Sequence, residues 1–395
     1  MQILVFAFGI LLFIGLVLVH EWGHFITARR NGVDVEEFGL GFPPRIWSKK
    51  HKSGMRLSLN LLPLGGFVKL KGENDSDERK GSLGAASLLT KSKIMLAGVT
   101  MNLLAGLLLL TVLAWIGMPK LLTADSVGQD QFTVASDTKI TNQRVLVGAI
   151  QPGSPAEKAG LKSTDELVSA ANGSQTKPVS TPEQIHDATL AFAGKDITLT
   201  YKRHNQLQHS QIQLLSKNVV QASQKTNDPK GYLGIIPTAL QIQRSTWSAP
   251  IVALGLTKQI VVLTFEGLGH AIGGLGSTIA GGVTNNHTAR QNGQSEASSQ
   301  VGGPVAIGVA LWDYGNLGFN FMLFLIALIS LTLALMNVLP IPALDGGRLA
   351  MMLVSRGVFR RPLTRAAEER IVGASFALLL VLVVLITVVD VKRFF

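Results

Sequence analysis

Four apolar runs, each long enough to cross a membrane, constrain the fold of this chain more than any other feature. They cover residues 3–28, 94–117, 321–339 and 371–389. A helix needs roughly 20 predominantly apolar residues to cross a hydrocarbon core of about 30 Å. The runs therefore predict a polytopic α-helical membrane protein with four transmembrane helices.

The overall composition supports a membrane protein. Hydrophobic residues make up 47% of the 395 residues and charged residues only 15%, whereas about a quarter of a soluble domain is charged. The net charge of +11 comes from basic residues beside the apolar runs, so it indicates topology and not a nucleic-acid partner. The absence of cysteine excludes disulfides, a thiolate metal site and a cysteine nucleophile.

Two basic loops predict the orientation of the runs. Residues 29–93 hold 13 Lys and Arg, and residues 345–370 hold six Arg. By the positive-inside rule both loops are cytoplasmic, which places the termini and residues 118–320 outside. A shorter apolar stretch, 249–265, has Lys258 near its middle. It predicts an amphipathic helix that lies on the membrane or on protein, and not a fifth span.

This pattern divides the chain into four segments. Residues 1–120 hold the first two transmembrane helices, and residues 121–240 form an extracytoplasmic domain. Residues 241–320 form an extracytoplasmic amphipathic and flexible segment, and residues 321–395 hold the last two transmembrane helices.

Alternating apolar runs predict that the extracytoplasmic domain is a small α+β unit. Within residues 145–173, two such runs flank a Pro-Gly-Ser-Pro turn and a short helix from Pro155, and an Asn-Gly turn follows. Residues 197–203 and 231–237 add strands. The polar, aperiodic stretch 285–300 predicts a flexible loop.

The first apolar run ends in the sequence His-Glu-Trp-Gly-His, which has the spacing of a zinc site. His20 and His24 are four residues apart, so a helix presents both rings on one face, where both can reach one Zn²⁺. In the pattern H-E-x-x-H the intervening Glu21 is the general base that takes a proton from a metal-bound water. The alternative is a pair of histidines that only caps a helix end at the membrane interface.

A catalytic zinc needs a third protein ligand. Residues 337–348, Asn-Val-Leu-Pro-Ile-Pro-Ala-Leu-Asp-Gly-Gly-Arg, lie at the predicted cytoplasmic end of the third run, at the depth of the histidines. Its prolines stop the helix, so Asp345 can turn its carboxylate toward the histidines. An ordinary turn at a membrane exit is the alternative. Glu36 and Glu37 are also candidates, although no motif supports them.

The chain resembles bacterial site-2 proteases, the intramembrane zinc metalloproteases of the regulator-of-sigma-E type. The resemblance rests on H-E-W-G-H, on L-P-I-P-A-L-D-G-G and on P-G-S-P-A-E-K-A-G-L between them. It implies that His20, His24 and Asp345 are zinc ligands and that Glu21 is the catalytic base. It also implies that Asn337 holds the substrate backbone or stabilises the oxyanion, as a side-chain amide can.

Further segments extend the resemblance. Residues 62–70 look like an apolar hairpin that pairs with an unwound substrate by strand addition, or like an ordinary hairpin. Residues 98–102 keep the glycine and asparagine of the family pattern Gly-Pro-x-x-Asn but lack its proline, which implies a substrate-binding role for Asn102. Residues 302–305 resemble a family segment before the third span, and a simple turn is the alternative.

The outer domain resembles a PDZ domain. Residues 232–235, Tyr-Leu-Gly-Ile, look like the loop with which PDZ domains capture a chain terminus. Thr164 stands where the PDZ pattern commonly has glycine. Two roles remain open, namely binding of peptide C-termini and steric exclusion of large ectodomains.

We therefore expect an intramembrane zinc metalloprotease in the bacterial inner membrane. Its active site would lie near the cytoplasmic face and its PDZ domain outside. Its partners would be the lipid bilayer and single-span membrane protein substrates, for example anti-sigma factors or remnant signal peptides. The alternatives are a membrane-anchored PDZ scaffold, a metal-binding membrane protein without hydrolytic activity, and a soluble-type zinc protease tethered by its first helix.

Overall fold

The structure is a computed structural model that describes most of residues 2–394. The residues that it leaves undescribed are 52–53, 74–76, 78, 123–127, 204–205, 227–228, 284–302 and 316. The flexible loop predicted at 285–300 lies outside the described residues.

Long helices and two sheets make up the described chain. The helices run over Gln2–Arg30 (α1), Leu88–Ile116 (α2), Pro155–Lys158 (α3), Pro182–Ala191 (α4), Lys217–Ser223 (α5), Ala249–Val283 (α6), Pro304–Gly315 (α7), Phe319–Val338 (α8), Asp345–Gly357 (α9) and Arg365–Phe394 (α10). The strands run over Val35–Lys50 (β1), Arg56–Leu70 (β2), Met118–Lys120 (β3), Lys139–Ile150 (β4), Glu166–Asn172 (β5), Gln175–Pro178 (β6), Asp196–Arg203 (β7), Gln206–Gln213 (β8) and Ile235–Arg244 (β9). The chain divides into two compact units, residues 1–112 with 253–315 and 322–395, and residues 113–252 with 316–321.

Five helices in the described part of the chain are long and apolar enough to cross a membrane. Four of them, α1, α2, α8 and α10, coincide with the predicted spans, and the fifth is Ala249–Thr278 of α6. The prediction that this segment ends near residue 265 is wrong, and the prediction of four spans is not confirmed. Residues 266–283 are rich in glycine, but an apolar surrounding favours the helix because backbone groups there must bond to one another.

Helices α1 and α8 run in the same direction within the first unit. Near the start of both helices, a side chain at Gly9 would lie 2.8 Å from the Met322 sulfur. Further along, Leu16 packs in one cluster with Met322, Ile326 and Ile329. The C-terminal ends of both helices therefore lie on the same side of this helix bundle.

The sequence indicated a hairpin formed by residues 62–70 alone. The structure does not contain such a hairpin. These residues belong to β2, which pairs with β1 in a two-stranded sheet, with Lys50 opposite Arg56 and Val35 opposite Leu70. Both halves of β2 pair with the same part of β1, where Leu40 lies opposite both Leu59 and Gly66. At Gly66 an added side chain would lie 3.0 Å from Cγ of Glu21, so this glycine lets the strand pass close to α1.

The second unit is an α+β domain, as predicted. Its sheet has the order β3-β9-β4-β5-β7-β8, and β6 pairs with β5. Helix α3 begins directly after the predicted turn, and the Ser154 side chain accepts a hydrogen bond from the Glu157 backbone N–H at its start, which is the bond expected of a serine N-cap. The buried faces of the strands and of α4 form one apolar core, which includes Val147, Ile185 and Leu199.

A buried ion pair ties two parts of this domain together. The Asp165 side chain is only 2% exposed, and it accepts hydrogen bonds from Nε and Nη2 of Arg203 at 2.8 and 2.6 Å. It also accepts the backbone N–H of Lys162 at 2.8 Å. These bonds hold the loop before β5 against the end of β7.

We expect Asp165→Ala to destabilise this domain by about 1–3 kcal/mol, because it removes the buried carboxylate that accepts from Arg203 and Lys162. Hydrogen exchange of the β5 and β7 amides in the whole chain in detergent measures the loss. Asp187→Ala, at an exposed position on α4, is the control. Equal exchange in the two variants would show that the ion pair has no structural role.

Candidate metal centre

Three side chains that are distant in the sequence meet in the first unit. Oδ2 of Asp345 lies 3.1 Å from Nε2 of His20 and 3.1 Å from Nε2 of His24, and the two nitrogens are 3.2 Å apart. A tetrahedral zinc site with bonds of about 2.0–2.1 Å separates its ligand atoms by roughly 3.3 Å. Within the described residues, this is the group of His, Asp and Glu side chains that could hold a metal ion.

The elements that carry these residues explain why they meet. His20 and His24 lie one turn apart in the last third of α1, and both are buried. Helix α8 ends at Val338, just before Pro340, and α9 begins at Asp345 itself. The short segment between the two helices thus places the carboxylate at the depth of the histidines.

The glycines after Asp345 are required by close packing of the backbone. A side chain at Gly346 would lie 2.1 Å from the Val338 carbonyl oxygen, and one at Gly347 would lie 2.0 Å from that of Ile341. Any larger residue would force the segment between α8 and α9 to open. The glycine pair therefore fixes where Asp345 points.

Gly98 of α2 forms the floor of the site. A side chain at this position would lie 2.4 Å from Nε2 of His24 and 2.6 Å from Nε2 of His20. Both distances are far shorter than a van der Waals contact, so a methyl group at this position would push the two rings away. The missing side chain leaves a cradle into which the ring nitrogens point.

The hydrogen-bond pattern directs a lone pair of His24 into this cradle. Nδ1 of His24 lies 2.7 Å from the backbone oxygen of Ile94. Because a carbonyl oxygen only accepts, Nδ1 carries the hydrogen, and Nε2 of the neutral ring has a lone pair. That lone pair faces another ring nitrogen and a carboxylate oxygen, so a proton or a metal ion must lie among the three atoms.

Asp345 is a favourable third donor. Burial would raise the pKa of its carboxyl, but its contacts with His20 and His24 lower that pKa below its ordinary value, which favours the carboxylate form. A charged carboxylate with two imidazoles is a donor set that zinc accepts, and a fourth position is left for water or substrate. The residues present therefore fit a catalytic zinc ion.

Glu21 lies beside the cluster but outside it. Its side chain is half-buried and interacts electrostatically with His20, His24 and Asp345. Strand β2 covers it from the other side, where Gly66 approaches it closely. This is the position expected of a base that acts on a molecule held at the three ligand atoms.

The two predicted substrate-binding asparagines lie in different surroundings. Asn337 is half-buried in the last turn of α8. Asn102 is 1% exposed, and its Nδ2 lies 3.3 Å from Nδ1 of His20. Asn102 is thus next to a histidine of the cluster.

Glu36 and Glu37 are engaged elsewhere. Glu36 pairs with Lys69 at 3.0 Å, and the buried Glu37 accepts two hydrogen bonds from Arg45 at 2.9 and 3.0 Å. These ion pairs stabilise the sheet of β1 and β2. Neither glutamate joins the cluster of His20, His24 and Asp345.

Sequence reasoning missed two parts of the site. It noted Gly98 only as part of a family pattern, and it gave no role to the Ile94 carbonyl. The spacing of four between Ile94 and Gly98, and again between Gly98 and Asn102, was an available signal, because residues at this spacing share one face of a helix. All three positions lie on α2 and face the histidines.

Comparisons with known proteins agree on one family. Residues 8–382 match the family model described as peptidase family M50. A protein named as a zinc metalloprotease from Nostoc is 31% identical over 377 residues, which cover 92% of this chain and 90% of the relative. One with the same description from Clostridium perfringens is 29% identical over 97% of each chain. A protein named as a protease, Eep, from Enterococcus faecalis is 26% identical over 99% of this chain and 98% of its own length.

We expect Gly98→Ala to abolish zinc binding, because its methyl group would clash with both Nε2 atoms, at 2.4 and 2.6 Å, and force the two rings apart. Metal analysis of the purified protein measures the zinc content, which should fall from one equivalent to nearly none. Gly15→Ala is the control, since a side chain at Gly15 of α1 meets no atom within 4 Å. Full zinc content in Gly98→Ala would contradict the position assigned to the ion.

Proposed function

Because the chain belongs to peptidase family M50 and is a site-2-type intramembrane zinc metalloprotease, we propose that its zinc is held by His20, His24 and Asp345. Its substrates are single-span membrane proteins, which it cleaves within or next to their transmembrane segment. The observation that carries this proposal is the convergence of Asp345 on the histidine pair, with the three ligand atoms 3.1–3.2 Å apart.

The chemistry is divided between the metal and two side chains. Zinc supplies a Lewis acid and lowers the pKa of a bound water to about 7. Glu21 takes a proton from the attacking water and later returns it to the leaving amine. Asn337 donates its amide N–H to the substrate backbone or to the developing oxyanion.

The substrate must reach this site in an extended form. In a helix the backbone carbonyls accept hydrogen bonds within the helix, so they are not free for attack. Strand β2 passes Glu21 at Gly66, and a strand there offers its backbone groups to an unwound chain. We assign to this part of β2 the role of aligning the substrate.

The direction of the helices supports a cytoplasmic site. Because α1 and α8 run the same way, the basic segment after α1 and the basic helix α9 begin on one side, which is the cytoplasmic side by the positive-inside rule.

The same orientation bears on whether α6 is a fifth span. If α6 crossed the membrane once, the chain would need a second crossing before α8 to keep the direction of α8. Helix α7 has only 12 residues and is about 18 Å long, too short to cross. We therefore keep four spans, in the bacterial inner membrane, with the second unit outside.

Several features support a PDZ fold for the second unit. Thr164 adopts a φ of +73° and Gly234 one of +76°, which favours glycine at both positions. The Tyr-Leu-Gly loop at 232–234 leads into β9, whose residues 235–240 pair with β4, while β3 pairs only with residues 241–243. Among the described residues, one edge of β9 next to the loop thus pairs with no strand. A peptide can add there as a strand, with its terminal carboxylate in the loop.

This arrangement points to a substrate with a free C-terminus outside the cell. Such an end arises when another protease removes the ectodomain of a single-span protein. Anti-sigma factors and remnant signal peptides are the substrate classes that this proposal includes. The second unit would then select trimmed molecules before the membrane-embedded site acts on them.

Replacing the base separates catalysis from metal binding. We expect Glu21→Gln to lower the cleavage rate of a single-span substrate by about 10²–10⁴-fold while the zinc content stays at one equivalent. Asp345→Ala should lose both zinc and activity because it removes a ligand. Cleavage by Glu21→Gln at the wild-type rate would contradict the role assigned to Glu21.

A peptide-binding measurement tests the role of the second unit. We expect a fluorescent peptide with a free carboxylate to bind the whole chain in detergent at least tenfold more tightly than the same peptide with an amidated end, because charged hydrogen bonds contribute about 1.5–3 kcal/mol. Equal binding of the two peptides, or binding of neither, would contradict recognition of the C-terminus and leave steric exclusion as the role of this domain.

A further inference from the structure

Asn102 is buried without a full set of partners. The side chain is 1% exposed, yet Oδ1 accepts no hydrogen bond from the described residues. The side-chain contact that it makes is with Nδ1 of His20, at 3.3 Å from its Nδ2. Leaving a buried amide half-satisfied is unfavourable, so an unsatisfied group of this kind calls for a role beyond packing.

The chemistry of His20 determines which end of the amide faces it. Nε2 of His20 points into the cradle, 3.1 Å from Oδ2 of Asp345. When a neutral ring uses the Nε2 lone pair to bind a metal, its hydrogen is on Nδ1. The group opposite Nδ1 must then be an acceptor. A half-turn of the Asn102 side-chain amide exchanges its two ends and places Oδ1 there.

His24 shows the same arrangement with a backbone acceptor. Its Nδ1 donates to the Ile94 carbonyl at 2.7 Å. Metal-bound histidines generally donate their second ring N–H to an oxygen, which fixes the tautomer and the ring orientation. The Ile94 carbonyl accepts the Nδ1–H of His24 in this way. Asn102 lies two helical turns further along α2, where its side chain can accept the Nδ1–H of His20.

The position of Asn102 is itself fixed by another helix. The hydroxyl of Ser330 on α8 donates to the Asn102 backbone oxygen at 2.8 Å, and both residues are buried. A chain of hydrogen bonds thus runs from α8 through α2 to the histidine on α1. It links the helix that leads to Asp345 with the ring that Asp345 contacts.

We propose that Asn102 is a positioning residue, whose side-chain oxygen accepts the Nδ1–H of His20 and thereby directs the Nε2 lone pair of His20 at the metal. This role replaces direct substrate binding by Asn102, and it rests on the proposed function because it takes His20 to be a zinc ligand. The amide oxygen is the essential atom. A carboxylate at this position preserves it, and an apolar side chain of the same size removes it.

The test is zinc affinity, measured by competition with a chelator on the purified whole chain. We expect Asn102→Leu to weaken zinc binding by about 10–100-fold. Asn102→Asp should stay within about threefold of the wild type. Thr111→Val is the control, because Thr111 lies on the same helix and its hydroxyl bonds only to Leu107 one turn away.

Each outcome decides between distinct explanations. Wild-type affinity in Asn102→Leu would overturn the proposal, and so would an Asn102→Asp affinity as weak as that of Asn102→Leu, because the amide N–H would then be the essential group. If Asn102→Leu does not fold, the affinity of Asn102→Asp decides alone. Wild type and His24→Ala are measured in parallel, and equal zinc affinity in these two would contradict the proposed metal site itself, whatever the Asn102 variants do.

Discussion

The rest of the structure depends on one interaction, the approach of the Asp345 carboxylate to the imidazoles of His20 and His24. Three electron-rich atoms lie 3.1–3.2 Å apart in a buried site. An ion held by all three would join elements that are more than 300 residues apart in the sequence. Because such a site forms only in the folded chain, we expect binding of the ion to stabilise the membrane unit.

Close approach of backbones makes this convergence possible. A side chain at Gly23 of α1 would lie 2.6 Å from the Ala97 carbonyl oxygen of α2, so these two helices cross in close contact, as small residues allow in membranes. Gly98 then brings the backbone of α2 against the two rings, and the glycines after Asp345 fold the end of α8 back. The shape of the site thus depends on these glycines as much as on His20, His24 and Asp345.

The sequence predicted that His20, His24 and Asp345 meet because they belong to short, strongly patterned motifs. The histidine spacing needs only one helix, and the prolines before Asp345 end another helix at a predictable depth. The extent of α6 could not be predicted in this way. Its glycines weaken a helix in water, and only an apolar surrounding, which residue propensities do not describe, keeps them helical.

The pairing of β1 with β2 also could not be predicted from the sequence. Two adjacent glycines in residues 62–70 look like a turn, whereas one of them serves a contact with Glu21 that depends on tertiary structure. The same holds for Gly98 and Asn102, whose importance comes from facing His20 across a helix interface. A single sequence shows which residues share one face of a helix. It does not show which other element packs against that face.

X-ray absorption at the zinc edge of the purified chain tests the central claim most directly. The account predicts four nitrogen or oxygen ligands at about 2.0–2.1 Å, with the scattering signature of two imidazole rings, and a changed first shell in Asp345→Asn. A zinc ion without two imidazoles, or a first shell that is the same in Asp345→Asn, would contradict it.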